Sequence, residues 1–139
     1  ACRACVTFPS ALGARPGRCG QARERGLVVA TAVNPDGNHE LVSPRPADIE
    51  LLVCMSVYPG LGGQSFIAGV LDTVKAARAE IDARGLSTVI QIDGGIDMQT
   101  IAGAYAAGAT NFVAGTAVFG QPDPAAAIDE LRRGATCVQ

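Results

Sequence analysis

The stretch that decides the fold is residues 51–64, LLVCMSVYPGLGGQ. Its first half is a nearly continuous apolar run, which is typical of a parallel strand that is covered on both faces. Its second half has three glycines in four positions, so the strand ends in a loop. Similar apolar runs occur at 27–33, 88–93 and 111–115, with Ala-rich segments between them. This alternation predicts four βα units around a parallel sheet.

Helical signals fall between and after these runs. Apolar residues recur at intervals of three, four and seven in one segment, which predicts a helix that ends near Arg84: Ile67, Val70, Leu71, Val74 and Ile81. Asp97 is a plausible cap for a following helix that closes at Gly108. Asp123 precedes Pro124, and a capping residue followed by proline is a typical start for the last helix.

The first 25 residues differ from the rest, because arginines are interleaved there with glycines and prolines. Only residues 4–8 resemble a strand, and no apolar helical period follows before Gln21. We therefore expect residues 1–25 to be irregular and residues 26–139 to carry the four βα units.

Composition limits the class of protein. The chain has 139 residues, of which 48% are hydrophobic and 17% charged, and this suits one folded domain. A net charge of -2 without long charge runs argues against nucleic acid or an anionic membrane as partner. The apolar runs are shorter than the roughly 18 residues of a membrane span, so we expect a soluble, cytoplasmic protein.

Of five cysteines only Cys2 and Cys5 form a C-x-x-C pair, and free thiols are expected.

Three glycine-bearing segments follow strands, at the end where parallel barrels place their sites. Residues 59–64 form either an anion-binding loop or a flexible loop with no ligand. Asp93 ends a strand and precedes Gly94 and Gly95, so it is either a carboxylate aimed into a cavity or a turn residue. The capping alternative is weaker because Asp97 suits that role better.

The third segment contains Gly115 and Thr116. Taken alone it is weak evidence for a binding site, but together with the second segment it could complete an anion site. His39 is the only histidine and lies in a turn-rich segment, so we expect it to be a solvated loop residue. One His and one Asp cannot by themselves complete a metal site. Tyr58 is either a pocket residue or a packing residue.

Residues 52–67, with IDGGI at 92–96 and AGTAVFG at 114–120, closely resemble the ribulose-phosphate 3-epimerase family. AVNP at 32–35 is similar to that family's fifth-strand motif, so the resemblance covers 26–132. It implies a TIM (β/α)₈ barrel of which this chain holds the C-terminal half, strands five to eight. Residues 1–25 then contain at most a remnant of the fourth-strand region.

The resemblance implies an isomerase that interconverts ribulose 5-phosphate and xylulose 5-phosphate, in the pentose phosphate pathway, by proton transfer at C3. It makes Asp93 an acid/base residue and a ligand of a divalent metal (Zn, Fe, Mn or Co), and it places Met55 in the pocket. The residues implied to bind the sugar phosphate are Gly60, Leu61, Gly62, Gly63, Gly94, Gly95, Gly115 and Thr116.

The chain departs from the family pattern in ways that affect the expected activity. The family's other aspartate and both histidine ligands belong to the second and third strands, which precede the matched region. Tyr58 stands where asparagine is usual. Two alternatives therefore stay open: an epimerase of another ketose phosphate, such as a hexulose 6-phosphate, or a non-catalytic phosphate-binding fragment. Strands 27–33 and 111–115 are expected to leave unpaired edges, which predicts a homo-oligomer.

Overall fold

The computed structural model describes residues 5–9, 16–36, 49–60 and 64–136. These residues form a parallel sheet of five strands in the order β1-β2-β3-β4-β5. The strands are β1 (Cys5–Pro9), β2 (Val28–Val33), β3 (Leu51–Met55), β4 (Val89–Asp93) and β5 (Asn111–Val113). The helices are α1 (Pro16–Glu24), α2 (Val70–Ala83), α3 (Ile101–Ala106), α4 (Thr116–Phe119) and α5 (Pro124–Thr136).

The strands follow one another in chain order across the sheet, without a reversal. An open doubly wound sheet reverses its strand order at a switch point, whereas consecutive barrel strands do not. The expected partial (β/α)₈ barrel is therefore confirmed.

The two faces of the sheet differ in burial. On the helix-covered face Leu52, Cys54, Ile90 and Ile92 have no exposed surface, and they form the centre of the core. On the other face Val89 is 38% exposed and Val113 is 40% exposed. This second face corresponds to the interior wall of a barrel, and Asp93 lies on it, since neighbouring residues of a strand alternate between faces.

Strand 27–33 is not an edge, contrary to the expectation from the sequence. β1 pairs with β2 in parallel from Cys5 with Val28 to Pro9 with Ala32, so the edges of the described sheet are β1 and β5. The expectation that residues 1–25 are irregular is wrong for two parts of that range, because β1 covers Cys5–Pro9 and α1 covers Pro16–Glu24. Only Cys19 and Ala22 of its described side chains are buried, and two small residues give no apolar period.

The other predicted elements are confirmed with shorter bounds. The Asp97 carboxylate accepts hydrogen bonds from the N–H groups of Gln99 (2.8 Å) and Thr100 (3.0 Å), just before α3. Asp123 Oδ1 accepts from Ala125 N (3.0 Å) and Ala126 N (3.1 Å) at the start of α5. In the described parts of the chain no helix combines the length and apolar character that a membrane crossing requires.

Candidate functional site

A cavity of about 430 Å³ lies at the carboxyl ends of β4 and β5. It brings together residues of all three glycine-bearing segments that the sequence singled out, and the first of them, residues 59–64, contributes Gln64. Its lining residues are Val57, Gln64, Asp93, Gly94, Gly95, Ile96, Asp97, Val113, Gly115, Thr116 and Ala117. The parallel register causes this meeting, because Asp93 pairs with Val113 and the chain leaves both strands at the same edge.

The two aspartates of the cavity have different roles. Asp97 uses its carboxylate to cap the turn that leads into α3, by accepting from the N–H groups of Gln99 and Thr100. The carboxylate of Asp93 accepts no hydrogen bond from any residue within the described ranges. Asp93 is partly buried at the end of β4, so its oxygens are available to a ligand in the cavity.

Gly94 and Gly95 turn the chain beneath this carboxylate. Both have positive φ values, +117° and +60°, which only glycine adopts without strain. Among the described residues none accepts a hydrogen bond from their N–H groups. Two free N–H donors at the wall of a cavity are suited to bind an anion.

The carbonyl groups of this turn, in contrast, are bonded to two hydroxyls. Ser56 Oγ donates to Gly94 O at 2.5 Å, and Thr100 Oγ1 donates to Gly95 O at 2.9 Å. The turn is thus fixed from the β3 side and from the start of α3. Sequence reasoning missed both hydroxyls: Ser56 lies 38 residues from Gly94, and a threonine five residues after Gly95 gives no specific signal of a bond to that carbonyl.

Gly115 and Thr116 lie at the opposite side of the cavity, where β5 leads into α4. The Gly115 carbonyl accepts hydrogen bonds from Val118 N (3.0 Å) and Phe119 N (2.9 Å). No acceptor for the Thr116 N–H or hydroxyl occurs in the described part of the chain. These groups add further donors to the same cavity.

The structure says less about the remaining predicted residues. Met55 is paired with Asp93 on the neighbouring strand but does not line the cavity. Gly60 is exposed, and Leu61, Gly62 and Gly63 lie outside the described residues, as does His39. Gln64, which follows the glycines, does line the cavity, and its Nε2 donates to Tyr58 O at 2.6 Å. The roles predicted for Met55 and the loop glycines stay predictions.

The donor set limits what a metal could bind here. Within the described ranges no three His, Cys, Asp or Glu residues are grouped as a metal site requires. Asp93 offers one carboxylate, and Asp97 is engaged as a cap. The described residues therefore do not fit a divalent metal by themselves, and no chemical step below passes through one.

Comparisons with known proteins point to one family. The sequence profile of the ribulose-phosphate 3 epimerase family matches residues 14–119. The ribulose-phosphate 3-epimerase of Mycobacterium tuberculosis is 42% identical over 131 residues, which cover 94% of this chain and 57% of the relative. The Escherichia coli protein of the same name is 38% identical over 110 residues, 79% of this chain and 49% of the relative. The chain thus spans about half the length of the curated relatives that it matches.

A solved structure of a 3-hexulose-6-phosphate synthase superposes with a TM-score of 0.61. It covers 94% of this chain and 61% of that protein, at 23% sequence identity. This likeness supports the barrel fold and indicates nothing about activity.

Proposed function

Because the chain belongs to the ribulose-phosphate 3-epimerase family, we propose that it provides the phosphate-binding half of such an epimerase, together with one of its two acid/base groups. The reaction interconverts ribulose 5-phosphate and xylulose 5-phosphate. One group removes the proton at C3, a planar enediolate forms, and a proton returns to C3 on the opposite face. The family match and the curated relatives of that name support this assignment.

One observation carries the proposal: the Asp93 carboxylate shares a cavity with a set of free N–H donors. The donors belong to Gly94, Gly95 and Thr116, on two neighbouring strand ends. A phosphate dianion is stabilised by several converging N–H groups, whereas a carboxylate without hydrogen-bond donors can accept a proton. The two functions therefore occupy different atoms of one cavity.

In the proposed reaction Asp93 takes the C3 proton on one face and returns a proton to that face in the reverse direction. The other face needs a second acid/base group. By the family resemblance this group belongs to a strand that precedes the matched region. The divalent metal, and Asp93 as one of its ligands, stay predictions for the complete enzyme.

The proposed small-molecule partner is the sugar phosphate. We also propose that the protein is located in the cytoplasm. Free thiols support that location, since Cys5, Cys19 and Cys54 are unpaired within the described ranges. A role in the pentose phosphate pathway is part of the proposal only because ribulose 5-phosphate is the proposed substrate.

Titration of this chain with inorganic phosphate, followed by amide NMR, tests the binding half of the proposal. We expect the signals of Gly94, Gly95, Gly115 and Thr116 to shift with one common affinity, while Gly103 on α3 serves as a distant reference. If the four signals stay in place up to high millimolar phosphate, the site is wrongly assigned.

The catalytic half requires an enzyme completed with the amino-terminal half of the Escherichia coli relative. We expect this chimera to form xylulose 5-phosphate from ribulose 5-phosphate. A parallel assay with a hexulose 6-phosphate distinguishes the alternative substrate. Phosphate binding without turnover of either ketose would favour the non-catalytic alternative.

A further inference from the structure

Ser56 is fully buried immediately after β3, and all of its polar groups contact two segments. Its N–H donates to Asp93 O at 2.9 Å, and its hydroxyl lies 3.1 Å from the same oxygen and 2.5 Å from Gly94 O. Its carbonyl accepts from Ile67 N at 2.8 Å. Ser56 therefore joins the end of β4 to the segment that follows the glycine loop.

The bond to Gly94 O has a directional consequence. The peptide unit between Gly94 and Gly95 is planar and trans, so its N–H points opposite to its C=O. Since the carbonyl points to the buried Ser56 hydroxyl, the Gly95 N–H points away from Ser56. Glycine backbones have the widest choice of conformations, and a fixed carbonyl removes much of that choice.

Ser56 lies beside the point where the chain on both sides of the glycine loop contacts the Gly94–Gly95 turn. A Cβ on Gly94 would lie 2.4 Å from Val57 Cγ2, and a Cβ on Gly95 would lie 2.9 Å from the Cα of Phe66. Val57 precedes the loop of residues 59–64, and Phe66 follows it. The chain on both sides of the loop thus lies against the Gly94–Gly95 turn, beside the hydrogen bonds of Ser56.

We infer that Ser56 is a positioning residue: its hydroxyl orients the Gly94–Gly95 peptide so that the Gly95 N–H serves the phosphate. This inference deepens the proposed function and rests on it for the identity of the anion. Ser56 does not line the cavity, so it acts through the turn and not by touching the sugar phosphate.

The chain offers a matched control for this hydroxyl. Thr88 is also buried, and its Oγ1 donates to Ile49 O at 2.9 Å. This bond joins the amino ends of the same two strands whose carboxyl ends Ser56 joins. Ser56→Ala and Thr88→Val therefore each remove one buried hydroxyl from the β3–β4 pair, but only the first lies at the cavity.

The experiment compares wild-type chain, Ser56→Ala, Ser56→Thr and Thr88→Val by phosphate titration and by the NMR order parameters of the Gly94 and Gly95 amides. We expect Ser56→Ala to weaken phosphate binding about tenfold, as for loss of one hydrogen bond to a charged group, and to lower both order parameters. Ser56→Thr keeps the hydroxyl and should restore both. Thr88→Val should lower stability and leave both readouts unchanged.

Equal effects of Ser56→Ala and Thr88→Val on binding and order would overturn the inference, because the hydroxyl would then be merely structural. Unchanged order in Ser56→Ala would overturn it as well. If wild-type chain binds no phosphate, the proposed function fails at its binding step, and the order parameters alone decide on Ser56. If Ser56→Ala does not fold, Ser56→Cys takes its place in the comparison. A thiol is close to a hydroxyl in size but is a weaker hydrogen-bond donor.

Discussion

Gly94 and Val57 approach each other so closely that a Cβ on Gly94 would lie 2.4 Å from Val57 Cγ2. Real Cβ atoms do not occur at that distance, so one of the two segments would have to move. Val57 precedes the glycine loop of residues 59–64, and Gly94 follows the strand that carries Asp93. The contact therefore packs the chain before the loop against the turn whose N–H groups we propose to bind the anion.

We predict that Gly94→Ala destabilises the chain by about 2–4 kcal/mol, the sum of overpacking and a positive φ on a residue with a side chain. Urea unfolding measures this difference. Gly103→Ala in α3 is the matched control, because its Cβ would meet only Leu71 Cδ1 at 3.8 Å. It should be neutral or stabilise by about 0.5–1 kcal/mol. Similar losses at both positions would contradict the close approach.

Asp93→Asn in the completed enzyme should lower kcat by about 10² to 10⁴, because an amide cannot transfer the C3 proton. Phosphate affinity should change little, since the N–H donors are separate from the carboxylate. Asp97→Asn is the control: it keeps an oxygen acceptor for the α3 cap and should keep kcat near normal. If Asp93→Asn retained more than about a tenth of the normal kcat, Asp93 would have no part in proton transfer.

Burial raises the pKa of the Cys54 thiol from 9.0 to about 12. The folded pKa lies above the unfolded value, so the resulting stability is fully present below pH 9 and is lost as pH rises from about 9 to about 12. In that window the free energy of unfolding should fall with pH more steeply in the wild-type chain than in Cys54→Ala. The difference between the two slopes should reach up to about 1.4 kcal/mol per pH unit. Urea unfolding from pH 8 to 10.5 measures both. Parallel pH curves would show that the thiol titrates normally.

We also predict that this chain self-associates and shows no epimerase turnover by itself. The described sheet has open edges at β1 and β5, and Val89 and Val113 are exposed on its interior-wall face. Exposed strand edges and apolar faces favour pairing with a second copy. Light scattering should give a dimer or larger species. A compact monomer that converts ribulose 5-phosphate would contradict both parts.

Much of the fold is determined locally. The strands β2 to β5 are apolar runs that a buried parallel sheet requires, and α2 has the period of one buried helix face. Asp97 and Asp123 were recognised as caps because a capping residue and its N–H partners lie within three residues of each other. The sequence also indicated Asp93, Gly94, Gly95, Gly115 and Thr116 together, since each follows a strand.

Other features depended on the tertiary structure. α1 escaped prediction because only Cys19 and Ala22 of its described side chains are buried, and two small residues form no apolar period in the sequence. The pairing of β1 with β2, and with it the true edge of the sheet, is a contact between segments separated by a helix.

The role of Ser56 also depended on the tertiary structure. A hydroxyl side chain looks the same in a sequence whether it faces water or a carbonyl, and Ser56 meets its Gly94 partner only after β3 and β4 align. The sequence by itself determined which residues could form an anion site, because strand ends and glycines are local features. Only the tertiary structure decided how that site is oriented, because orientation depends on hydrogen bonds between residues far apart in the chain.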